Sequence, residues 1–220
     1  MGGAIYRYRP NLMIGFHGCD EKVRDALVNN PNVIKSSNSS YDWLGNGFYV
    51  WENNYDRALQ WAKDKKKRDG NDEFIPSVVG VVFTLNLCLD FSDSEYTGII
   101  KTYYELFKSE CEAFGNPLPH NKNVKNDEFK DMLLRELDCA VIEFMHSKIA
   151  NRIKEEESTK GFSDLQQFDT VRGLFTEGGP AYEGAGIQLK NHIQILPTHH
   201  NRQASPSFPT YNHVVPYYRV

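Results

Sequence analysis

Several absences bound what this chain can be. No run approaches the ~20 consecutive apolar residues needed to span a bilayer, so no membrane-spanning segment is expected. Cysteine is sparse: the four, Cys19, Cys88, Cys111 and Cys139, form no C-x-x-C pair, which argues against a zinc ribbon or a redox dithiol. No charged, apolar, small-residue signal opens the chain, and a reduced, cytoplasmic setting is expected. An excess of positive charge is missing too. With 25 Lys and Arg against 29 Asp and Glu, the net charge of −4 lacks the footprint of a dedicated nucleic-acid binder. No G-x-S-x-G elbow and no P-loop occur. Seven histidines are present, but His199, His200 and His213 have no carboxylate or cysteine at a helical ligand spacing, so no metal site is expected.

What is there is an aromatic-rich chain of 220 residues, long enough for one generous domain. The 12 Tyr, 13 Phe and 3 Trp supply core area or flat faces for stacking rings, and composition does not separate those uses. Residues 12–16 read as a strand ending at His17-Gly18, with Asp20 capping a helix to about Asn29 whose Val23, Ala26 and Leu27 face inward. Residues 36–46 are turn formers, 48–51 a strand, and Asn53 or Asn54 caps a helix carrying Ala58, Leu59, Trp61 and Ala62. Residues 78–91 read as a buried central strand. Residues 98–115 and 126–157 are helical in pattern. Leu133, Leu137, Val141, Phe144, Met145, Ile149 and Ile153 form a stripe that predicts helix packing. Strand signals return at 168–175 and 187–196, flanking a Gly-rich loop, and the proline-bearing tail 197–220 should be irregular. Strands at both ends with helices between them predict an α+β fold of one domain, 1–220, with a helical insert at about 98–160. The run Lys63-Asp64-Lys65-Lys66-Lys67-Arg68 is the solvated end of a helix or a phosphate-contacting edge.

Two constellations carry chemistry. In Gly15-Phe16-His17-Gly18-Cys19, a strand-end imidazole stands beside backbone that a ligand can approach closely. In Leu44-Gly45-Asn46-Gly47-Phe48-Tyr49-Val50-Trp51, a tight turn delivers an aromatic strand. The two glycines of that turn lack the third, helix-opening glycine of a dinucleotide-binding fingerprint, so a Rossmann reading fails on spacing.

In this order and at this separation, residues 12–62 resemble the ADP-ribosyltransferase superfamily. The likeness is to its diphtheria-toxin-like, His-Tyr-Glu branch, which includes the poly-ADP-ribose polymerases, and especially to small bacterial toxin-like domains. The resemblance implies a split β-sheet core and NAD⁺ as co-substrate. His17 would bind a ribose hydroxyl, the Gly18 backbone would hold the nicotinamide carboxamide, Tyr49 would stack on the nicotinamide ring, and Trp61 would be a second stacking aromatic. An aromatic face suits a cationic pyridinium. The implied activity is mono-ADP-ribosyl transfer to a protein or nucleic acid, in a bacterial toxin or phage-defence setting with an antitoxin or immunity protein as a further partner.

The chain departs from the family at the third element. In Lys190-Asn191-His192-Ile193-Gln194-Ile195, Gln194 stands where the glutamate is expected, supplying neither charge nor base. Either Glu177 or Glu183 of the Gly-rich loop substitutes, or the acceptor needs no protein base. Asp169 and Arg172 orient a phosphate or acceptor, or form a structural ion pair. NAD⁺ glycohydrolysis and a non-catalytic NAD-pocket interaction module are the competing functions.

Overall fold

The computed structural model describes residues 8–30, 34–125, 127–198 and 213–216. β1 (Tyr8–Asp20) runs into α1 (Glu21–Asn29), which Asp20 caps by accepting from the Lys22 amide at 2.8 Å. β2 (Val50–Glu52) and α2 (Tyr55–Asp69) follow, the helix capped by Asn54 and closed by Gly70 at φ +59°. β3 (Pro76–Asp90) is long and apolar on both faces. It precedes α3 (Ser94–Phe114), the short ribbon β4 (Asn121–Lys122) and β5 (Leu134–Arg135), and α4 (Glu136–Lys160). β6 (Thr170–Phe175), β7 (His192–Pro197) and β8 (His213–Pro216) complete the sheet. The fold is α+β, with a mixed sheet and four helices among the described residues.

The strand pairings close on themselves. β1 pairs β2, β2 pairs β7 and β7 pairs β6, all antiparallel; β6 then lies parallel to β3, which returns antiparallel to β1. β8 adds to β3 outside this ring. One face of the ring holds Val50, Val79, Val81, Phe83, Leu85 and Ile195, closed over by Leu27 of α1 and by Ile34. Burying each such side chain contributes about 1.5–3 kcal/mol. Asn86, at φ +50°, switches the alternation of β3. Leu85 and Cys88 therefore share that inner cluster, while Leu89 joins the outer one. On the outer face Ala58 and Ala62 of α2 pack against β1, and α3 and α4 cover β6 and β7 through Tyr96, Met145, Val171 and Leu196.

Several expectations fail against this fold. In α1 only Leu27 is fully buried, with Val28 packed partly buried beside it, while Val23 and Ala26 are exposed because they lie off the face turned to the sheet. The second helical stretch begins at Glu136, leaving Leu133 outside it. Lys130 and Met132 have φ near +50°, which no helix continues through, and Asn121 Oδ1 instead caps α4 by accepting from the Leu137 and Asp138 amides. Residues 187–191 are not strand. Their amides fold back on the Gly-rich loop, with Leu189 N donating to Gly179 O and Lys190 N to Glu177 O. Part of the tail is ordered as β8, whereas 199–212 and 217–220 lie outside the described residues. Among the described residues no helix is long and apolar enough to cross a membrane.

Candidate functional site

The ladder between β1 and β2 holds Gly15↔Glu52 and Phe16↔Trp51, and His17 lies just where the two strands part. Its Nδ1 is 2.8 Å from the Tyr49 carbonyl. A carbonyl only accepts, so Nδ1 carries the proton and Nε2 keeps a lone pair. Burial pulls the His17 pKa down to about 4 against the opposing pull of that hydrogen bond, so the ring is neutral at pH 7. Phe48 backs it, with ring centroids 4.2 Å apart. Gly18 is required by packing: a Cβ there would stand 2.1 Å from the Ala58 carbonyl oxygen of α2.

Tyr49 is placed differently from a free stacking face. Continuing the register sets His17 opposite Val50 and Gly18 opposite Tyr49, so the His17 and Tyr49 side chains leave opposite faces of the sheet. The Tyr49 hydroxyl donates to Gly45 O at 2.8 Å and accepts from Leu44 N at 2.9 Å. Burial raises its pKa well above the usual phenol value. Tyr49 thus ties the Gly45-Asn46-Gly47 turn to the strand it feeds. Glu143 of α4 holds the same turn by accepting from Asn46 N at 2.7 Å, a contact no sequence spacing advertised.

Gln194 is buried on β7 beside Trp51 and Gly173. Its Oε1 accepts from the Trp43 indole N–H at 2.5 Å. The Trp43 ring lies over Gly173, where a Cβ would come within 2.5 Å of it. Arg135 covers Trp43 and Phe175, its guanidinium carbon 5.5 and 4.2 Å from their ring centroids. Gln194 is therefore capped by an aromatic from the Ser-rich loop.

Beside it, α2 and the Gly-rich loop meet over β2 and β7. Trp61 packs on Trp51 with centroids 5.7 Å apart, and His192 stacks on Phe175 at 5.5 Å. His192 Nδ1 donates to Lys190 O at 2.8 Å. Burial lowers the His192 pKa to about 4, with the nearby Arg57 charge a smaller contribution in the same direction. Arg57 Nη2 is ion-paired with Glu177, and both are largely buried. Arg57 Nε and Nη1 and the Trp51 Nε1 are buried donors with no partner.

The structure thus gathers Gln194, Trp61 and Glu177 around Trp51 and His192, while His17 and Tyr49 meet through one carbonyl. It does not bring Asp169, Arg172 or Glu183 to them. Asp169 Oδ2 accepts from the Leu87 amide at 3.1 Å and so pins β6 to β3. Arg172 grips Glu52 through two nitrogens, at 2.7 and 3.2 Å, and Asp90 at 3.0 Å, forming an internal ion cluster. Glu183 is exposed at the loop tip. The basic run lies at the C-terminal end of α2, where Lys63, Lys66 and Lys67 border a cleft of about 460 Å³. A second cleft, of about 500 Å³, separates the β4–β5 region from the Gly-rich loop and is lined by Phe129, Lys130, Arg135, Thr176 and Gln188. Among the described residues no three His, Cys, Asp or Glu side chains are grouped to hold a metal ion.

Sequence reasoning missed Trp43, Trp51, Arg57 and Glu143. Trp43 sits among turn formers and Arg57 in an ordinary helical turn, so only the fold shows what they touch. Set against models of known protein families, curated proteins and solved structures, the chain matches none of them significantly.

Proposed function

We propose that this chain binds NAD⁺ and transfers its ADP-ribose to a macromolecular acceptor, protein or nucleic acid, releasing nicotinamide. In this reading the mixed sheet is an ADP-ribosyltransferase-like core and α3 and α4 are its helical insertion. The observation that carries it is the state of His17. A neutral imidazole, held by the Tyr49 carbonyl where β1 leaves β2, keeps an Nε2 lone pair able to accept from a ribose hydroxyl. Gly18 follows it directly, as a carboxamide-holding backbone requires.

The bond from C1′ to the nicotinamide nitrogen breaks, nicotinamide leaves with the electron pair, and an acceptor nucleophile bonds to C1′ and loses its proton. Positive charge develops on the ribose as this happens, and a carboxylate lowers its energy. Gln194 carries no charge, and Glu177, ion-paired with Arg57 over Trp51, lies across the sheet from the His17 side chain, so it reaches the ribose only if the Gly-rich loop that carries it moves. Tyr49 contributes by fixing the Gly45 turn.

The test is labelled NAD⁺ incubated with the full chain and candidate proteins, RNA and DNA. Label attached to a nuclease- or protease-sensitive product, lost in His17→Ala, is the expected result. Free ADP-ribose as the sole product would favour glycohydrolysis. The capping of Gln194 by Trp43 favours a second reading, a non-catalytic interaction module. Saturable NAD⁺ binding with no nicotinamide released by any acceptor would establish that instead.

A further inference from the structure

Arg57 carries more buried hydrogen-bonding capacity than its surroundings use. A guanidinium has five N–H donors, and here only Nη2 is engaged by the Glu177 carboxylate. Nε and Nη1 are buried without a partner. The same is true of the indole N–H of Trp51, a residue only 2% exposed, whose ring centroid lies 6.0 Å from the guanidinium carbon. Native interiors rarely leave buried donors unpaired, because the hydrogen bonds to water lost on burial are then not replaced. Three at one place, two of them part of a buried cation, make a locus rich in donors and short of acceptors.

The anion now present is delivered by a loop. Glu177 opens the Gly-rich segment, whose Gly178, Gly179 and Gly184 stand at φ +87°, +72° and +77°. The far side of that segment is exposed, with Tyr182, Ile187 and Leu189 each about 60% open to solvent. Glu177 is thus an internal carboxylate on a segment built from turns, occupying one of several available donors.

We propose that Arg57 and Trp51 form an oxyanion-binding site under the Gly-rich loop, taking a carboxylate or phosphate group of a small ligand, with Glu177 the resident anion that the ligand displaces. An incoming oxyanion of two or more oxygens fills donors that one glutamate oxygen leaves empty, and the charge of Arg57 stays paired throughout. Exchange of one buried pair for another avoids stranding a charge in the interior. His192, neutral and turned to Lys190 O, adds no competing positive charge. The site stands on these donors whatever reaction the chain performs.

The experiment is isothermal titration calorimetry of the full chain with pyrophosphate, nicotinate and the neutral analogue nicotinamide. At least one of the two anions is expected to bind Glu177→Gln tenfold or more tightly than wild type, because the internal competitor has lost its charge. Arg57→Met/Glu177→Gln, which removes both charges and buries none alone, should bind neither anion. Trp51→Phe, which keeps a ring and loses the N–H, should bind several-fold more weakly. Pyrophosphate alone would identify a phosphate ligand and nicotinate alone a carboxylate. Absence of binding by either anion at millimolar concentration in both wild type and Glu177→Gln overturns the site, as does binding undiminished in the double variant. Oxyanion binding that persists in a chain unable to turn over NAD⁺ would retire the transfer reading and leave this one standing.

Discussion

The indole N–H of Trp43 donates to the side-chain oxygen of Gln194 across 151 residues of chain, at 2.5 Å. Gly173 makes this contact possible by leaving room for the ring. Gly173→Ala should therefore push Trp43 off β6, at a cost of about 1–3 kcal/mol for the overpacked methyl. Urea unfolding measures the cost, and a red-shifted tryptophan emission reports the exposed indole. Unchanged emission would mean the ring adjusts in place. Gln194→Glu keeps an acceptor for Trp43, so the fold should persist. Faster NAD⁺ hydrolysis in that variant would put position 194 at the reacting sugar.

Tyr49 offers a sharper discrimination. If its ring face carried the ligand, Tyr49→Phe would be silent. Its hydroxyl instead closes the Gly45 turn by two hydrogen bonds, and removing it leaves Leu44 N and Gly45 O short of a partner. We expect Tyr49→Phe to lose about 1–3 kcal/mol in urea unfolding and to weaken NAD⁺ binding through the loosened turn. Full stability with lost binding would restore the stacking role.

The pH dependence follows from two depressed imidazoles. His17 and His192 each titrate near 4 when folded, against about 6.5 in the unfolded chain. The unfolded state binds more protons between those values, so stability is fully present above about pH 6.5 and is lost as pH falls toward 4. For the well-buried His192 this amounts to on the order of 3 kcal/mol. Melting temperature should drop across that window, and less so in His192→Asn. A flat profile between pH 4 and 6.5 would show that the rings charge freely in the folded protein.

Much of the scaffold was legible in the sequence, for local reasons. Asp20 and Asn54 announce their helices because a cap needs only its own backbone neighbours. The short apolar run from Leu12 to Phe16 marks β1 as a strand, and the continuous apolar run in β3 reports its burial directly. The breaks were not legible. Lys130 and Met132 interrupt a plausible helical stripe with left-handed backbone, and neither residue type advertises that conformation. Residues 187–191 carry strand-like side chains yet fold back on the Gly-rich loop. The site divided in the same way. His17, Gly18 and Tyr49 were visible because each lies at or within two residues of a glycine. Trp43 and Arg57 take their meaning from partners 151 and 120 residues away, which no spacing within one segment can express.

Arg172 illustrates how a functional candidate becomes a structural one. Its guanidinium pairs with Glu52 on β2 and with the fully buried Asp90 on β3, joining strands that bracket the ring. Arg172→Met strands two carboxylates in the interior and should cost about 3–5 kcal/mol. NAD⁺ turnover per folded molecule should be unchanged where the variant remains folded. A turnover loss with stability intact would return Arg172 to the ligand.

Gly18 tests whether α2 must sit where it does. An added Cβ meets the Ala58 carbonyl oxygen at 2.1 Å, a backbone atom that no rotamer change can move. Gly18→Ala must therefore lift α2 or bend β1, and a stability loss of about 3 kcal/mol, the upper end for forced backbone shifts of this kind, is expected. Because Arg57 and Trp61 ride on α2, their seats over Trp51 should loosen together. Gly70→Ala, at the far end of the same helix, meets nothing within 4 Å and should cost only the strain of its left-handed backbone, about 1 kcal/mol. If Gly18→Ala loses no more stability than Gly70→Ala and binds NAD⁺ as wild type does, the close contact of α2 with β1 is not what orders this side of the molecule.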